Sequence, residues 1–112
     1  MSDVTNLKTI TNHLLYPVTV KNGENTQETF TVGSSNGWNG NMWIPWVTDT
    51  SAMWKSILLE WASKRIYIFQ HGDNIWYSWN NDFNQKAILG GNSTIKGEKA
   101  LVIASDDNVY LD

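Results

Sequence analysis

The chain is expected to fold as an all-β domain, an antiparallel β-sandwich with a barrel as the alternative, and three observations lead there. No stretch of eleven or more residues keeps apolar positions at helical spacing. Short runs rich in β-branched and aromatic residues recur instead between clusters of Gly, Asn, Asp and Ser, at the roughly 8 to 12 residue spacing of sandwiches and barrels. Finally, 112 residues with 41% apolar content suit one hydrophobic core, so residues 1–112 are expected to form a single domain. No internal repeat is evident, which argues against a trefoil or a propeller.

The first expected strands are Leu7 to Asn12, Pro17 to Lys21 and Thr26 to Val32. The last two are joined by the turn Asn22-Gly23-Glu24-Asn25, and Pro17 suits an opening position where no ladder donor is lost. Residues 33 to 42, Gly-Ser-Ser-Asn-Gly-Trp-Asn-Gly-Asn-Met, read as a loop that exposes Trp38. Met42 to Val47 then reads as a short strand whose Pro45 places it at an edge or bulge.

Between Ile57 and Trp79 three strands form a meander, with turns at Ser63-Lys64 and at His71-Gly72-Asp73-Asn74. A two-residue first turn opposes Ala62 to Arg65, Glu60 to Tyr67 and Leu58 to Phe69. The second turn opposes Phe69 to Trp76, Tyr67 to Ser78 and Ile68 to Tyr77. One face then collects Leu59, Trp61, Ile66, Ile68, Ile75, Tyr77 and Trp79 and is a core. The other carries Glu60, Arg65, Tyr67, Phe69, Trp76 and Ser78 and is either a sheet-packing surface or a binding platform. A short apolar piece, Ala87-Ile88-Leu89, precedes Gly90-Gly91, and a closing hairpin pairs Ala100 to Ala104 with Val109 to Leu111.

Only 17% of residues are charged, against roughly 25% in an average soluble protein, so Asn, Ser, Thr, Gln and Gly must wet the surface. The net charge of -3 comes without a long run of one sign, which argues against a nucleic-acid partner and against a basic membrane-binding helix. Cysteine is absent, so disulfides and thiolate metal sites are excluded. Asp106-Asp107-Asn108 lacks the spaced acidic continuation of a calcium loop, and neither a metal nor a cofactor is expected. The start, Met1-Ser2-Asp3-Val4-Thr5-Asn6, has neither the positive charge nor the apolar stretch of a secretory signal. A cytoplasmic protein, or one released by a non-classical route, is the expectation.

Seven tryptophans exceed what a core of this size needs. Trp54 and Trp61 lie in apolar surroundings and read as structural, whereas Trp38, Trp43, Trp46, Trp76 and Trp79 neighbour Asn, Gly, Ser or Asp. Sugar rings combine a rim of hydroxyls with patches of C–H, so their sites pair an aromatic platform with amides and carboxylates. Candidate ligand-binding residues are therefore Trp38, Asn39, Asn41 and Trp43 in the first loop, and His71, Asp73, Asn74, Trp76 and Trp79 around the second turn. Trp76→Ala is expected to abolish binding without unfolding the protein.

The short leaderless chain without cysteine, its acidic balance and its tryptophan-with-asparagine composition resemble the small cytosolic lectins of mushroom fruiting bodies and of some microbes. That resemblance implies recognition of glycans or glycoproteins, in a defence role and as a homo-oligomer whose several weak sites act together. Among such lectins the galectins carry a His, Asn, Arg, Trp, Glu signature. Gln70-His71-Gly72-Asp73-Asn74-Ile75-Trp76 keeps a histidine and a tryptophan but lacks the arginine, so no galectin residue is carried over.

An enzyme is not expected. There is no Gly-x-Ser-x-Gly elbow, phosphate loop or His-Glu-x-x-His, the only histidines are His13 and His71, and a glycosidase pair would have to come from Glu60 with Asp73 or Asp82. The alternative function is a non-lectin interaction or membrane-active protein that uses the same aromatics.

Overall fold

The structure, a computed structural model, describes residues 4–112. Met1, Ser2 and Asp3, which open the segment read as leaderless, lie outside the described residues. In chain order the strands are β1 (Thr5–Asn12), β2 (Val18–Asn22), β3 (Asn25–Val32), β4 (Gly37–Trp43), β5 (Ile57–Trp61), β6 (Lys64–His71), β7 (Asn74–Ser78), β8 (Ala87–Ile88), β9 (Gly90–Gly91), β10 (Gly97–Ile103) and β11 (Val109–Leu111). Single 3-10 turns at Thr50–Lys55 and Phe83–Gln85 interrupt them. One sheet runs β4-β1-β10-β11-β9 and the other β3-β2-β5-β6-β7-β8. Both sheets keep free edges, so the fold is an all-β sandwich and not a closed barrel.

Alternating apolar residues build the core between the sheets. Leu7 and Ile10 of β1, Val18 and Val20 of β2, Leu59 of β5, Ile66 and Ile68 of β6, and Leu101 and Ile103 of β10 are all buried in one cluster. Polar pins cross this core. Thr5 Oγ1 donates to Gln70 Oε1 at 2.9 Å, and Gln70 Nε2 donates to the Ile44 carbonyl at 2.6 Å. At another point the Trp61 indole N–H and the Lys64 amine both donate to Asp107, joining the β5–β6 turn to the β10–β11 turn. The Lys64 bond and then the Trp61 bond hold the Asp107 carboxyl below its ordinary range.

Three sequence expectations are corrected. Residues 37–43 form strand β4 and not a loop, because an edge strand asks little of its side chains beyond room. Gly40 supplies that room: a Cβ there would lie 2.5 Å from the Trp38 ring, which instead stacks on Phe30 at 4.8 Å. Met42 to Val47 does not form a strand of its own. After Trp43 the chain crosses towards the other sheet and bonds to β6 at Gln70, whose N–H donates to the Pro45 carbonyl at 2.8 Å. The β5–β6 turn is Ala62-Ser63, with Ala62 at φ 50°, so Glu60 faces Arg65 and Leu58 faces Tyr67. The opposed pairs shift, but each residue keeps its face because the side-chain period is two. The β6–β7 register agrees with expectation, with Phe69 opposite Trp76 and Tyr67 opposite Ser78.

Candidate functional site

The outer face of β6 and β7 was open to two readings, sheet packing or a binding platform, and the structure gives a third arrangement. The chain's own crossings cover that face. Val47 and Met53 bury against Phe69, with Tyr67, Trp76 and Phe83 packed around them. Trp76 is half-buried, its Nε1 donates to the His71 carbonyl at 2.9 Å, and Lys86 Nζ lies 5.2 Å from its ring centre. His71 is also half-buried, with Nδ1 3.1 Å from the Val47 carbonyl and its ring edge-on to Phe83 at 4.9 Å. Both side chains thus hold the hairpin to its cover. Asp73 is exposed at the tip, and Asn74 pairs with His71 across the turn.

Trp79 is 46% exposed and meets Trp61 and Tyr77 edge-on, at 6.2 and 6.0 Å. Trp38, expected to be exposed, is half-buried in its stack with Phe30, where the edge strands β3 and β4 approach one another across the sandwich. Trp54, expected to be structural, is 63% exposed on the first 3-10 turn, since only Met53 of that turn is buried. Trp46 is half-buried.

The remaining candidates, Asn39, Asn41 and Trp43, alternate along the solvent face of β4. Opposite them β1 carries an irregularity between Leu7 and Thr9, where β4 contributes Gly40 and Asn41 between the paired Asn39 and Met42. Lys8, the single β1 residue opposite them, donates to Asn41 Oδ1 at 2.8 Å, as does Asn6 Nδ2 at 2.9 Å, which fixes that amide. Trp43 ends the strand with its indole 66% exposed.

Asn41 and Trp43 form one wall of an open cleft of about 390 Å³, and the β2–β3 turn forms the other with Asn22, Glu24, Asn25 and Glu28. The cleft falls within the roughly 300 to 1,000 Å³ of small-ligand sites. Asn22 organises the turn: its Oδ1 accepts from the Glu24 N–H at 3.0 Å and its Nδ2 donates to Glu28 Oε1 at 2.9 Å. The Asn22, Asn41 and Glu28 side chains are therefore braced by hydrogen bonds, and these groups have less freedom to lose on binding.

Four of these six residues come from the β2–β3 hairpin: Asn22, Glu24 and Asn25 from the turn that the sequence suggested only as a chain reversal, and Glu28 from the strand after it. Its signal was present in two amides and two carboxylates within seven positions. Among the candidate pair of acids for glycoside hydrolysis, Glu60 accepts from Arg65 Nε at 2.8 Å, and Asp82 accepts from the Asn84 N–H at 3.0 Å. Among the described residues no group of three His, Asp or Glu side chains is placed to hold a metal ion. No protein-family model matches the chain, and neither a curated protein nor a solved structure is detectably similar to it.

Proposed function

We propose that this chain is a carbohydrate-binding protein whose site is the cleft between β4 and the β2–β3 turn. The supporting observation is the Trp43 indole, 66% exposed at the end of a strand beside Asn41, Asn25, Glu24 and Glu28. A large ring kept in water gains nothing for the fold, whereas a sugar laid on it buries C–H surface while its hydroxyls reach amide and carboxylate groups. Such a site recognises and releases.

A glycan array with the labelled protein, repeated with Trp43→Ala, tests this. Saturable binding to a related set of glycans that disappears in the variant, at unchanged melting temperature, is the expected result. A blank array with folded protein, or full binding by the variant, overturns the assignment.

A further inference from the structure

We infer that the cleft is one end of a trough with a second aromatic platform at Trp54, and that its ligand is a linear oligosaccharide with a neutral ring in the first cleft and not a single terminal sugar. This deepens the carbohydrate assignment and rests on it.

One further cleft adjoins the first, and another lies beyond it. The adjoining one, of about 220 Å³, shares Trp43 and Glu24 with the first and continues along Ile44 and Pro45 to Lys55. The other, of about 120 Å³, is lined by Gly23, Trp54, Tyr67 and Asn81. These two are lined by consecutive residues, Lys55 and Trp54 on the 3-10 turn and Glu24 and Gly23 on the β2–β3 turn. The proposed trough runs through these neighbours from the exposed ring of Trp43 to that of Trp54.

The second platform is held in fixed relation to the β2–β3 turn. The Gly23 N–H donates to the Ser56 carbonyl at 3.1 Å, and a Cβ on Gly23 would lie 1.8 Å from the Trp54 carbonyl oxygen. The backbone of the 3-10 turn is thus pressed onto the β2–β3 turn while the Trp54 indole remains 63% exposed. Tyr67 and Asn81 supply a hydroxyl and an amide beside Trp54, as Asn41 and Asn25 supply two amides beside Trp43. A chain of sugar rings meets both sets, and a monosaccharide meets one.

Charge narrows the class. The first cleft is lined by two carboxylates and by no basic side chain, on a protein of net charge -3. Lys55 and Lys21 line the other two, so the charge constraint applies to the ring seated beside Trp43. A sialylated or sulfated terminus placed there meets like charge, and a neutral ring does not.

The test is calorimetric titration of the intact protein with neutral ladders of one to six rings: β-1,4-glucan, β-1,3-glucan, β-1,4-mannan and N-acetylglucosamine oligomers. An array of neutral, sialylated and sulfated glycans runs in parallel. In at least one series affinity is expected to rise about tenfold or more between two and six rings. Trp54→Ala removes that rise and leaves the affinity for short members within about threefold, and Trp43→Ala weakens all members. Affinity that is already complete at one or two rings and indifferent to Trp54 overturns the trough while leaving a lectin. A preference for sialylated or sulfated glycans overturns the charge argument alone. No binding to any ladder or array member by folded wild-type protein overturns both the trough and the carbohydrate assignment.

Discussion

The β4 cleft and the β6–β7 hairpin are built from the same kinds of residue, tryptophan beside asparagine and a carboxylate, yet they end in opposite states. At the hairpin the chain returns twice over its own surface, so Trp76 packs near Met53 and Phe83, and its N–H is taken by the His71 carbonyl. At the cleft two free sheet edges meet and nothing from the described chain crosses above Trp43. What separates a structural tryptophan from one available to a ligand is therefore not its sequence neighbours but whether a crossing segment closes over it.

Trp43→Ala tests this contrast most strongly: glycan binding is expected to fall below detection by calorimetry while the melting temperature stays within error. Trp76→Ala is expected to do the reverse. It leaves a void under the crossings and removes a hydrogen bond to the His71 carbonyl, costing about 2 to 3 kcal/mol in chemical denaturation with glycan affinity unchanged. Loss of binding in a stably folded Trp76→Ala would restore the expectation drawn from sequence and break the contrast.

A finer test is Glu28→Gln, which removes the charge that Asn22 and Asn25 brace. Weakening of a neutral glycan by about two- to fivefold, without a change in stability, is expected if this carboxylate accepts a sugar hydroxyl. The smallest effect belongs to a contact that neither region shares. Because the folded Asp107 carboxyl titrates below its unfolded range, its contribution is present above that range and is lost as pH falls through the folded value. Asp107→Asn should then melt slightly below wild type near neutrality, and the gap should close in acid. A gap that is constant down to pH 2 would refute the link.

The legible parts of the fold were those written in period two. Val18 to Lys21 and Ile57 to Trp61 alternate cleanly, and the hairpin register from Tyr67 to Ser78 followed from counting. β4 was hidden because glycine and asparagine dominate it, and its strand character comes from pairing with β1, a contact between distant segments. The first meander turn slipped because Ala62 adopts a backbone conformation that sequence rules reserve for glycine or asparagine. At the site, Asn41 and Trp43 were found through composition. Glu24 and Glu28 were not, since only the folded sandwich brings their turn to the end of β4.

The parallel pairing of β1 with β10 has a consequence for how the molecule is made. β1 lies between β4 and β10, and its Thr5 hydroxyl accepts from the Lys96 N–H, 91 positions along the chain. A ribosome must therefore deliver nearly the whole polypeptide before the first strand, already able to pair with β4, finds its second partner. Until then Leu7 and Ile10 wait on an unpaired edge, so the nascent chain is most prone to aggregate in the interval before Gly97 to Ile103 emerge.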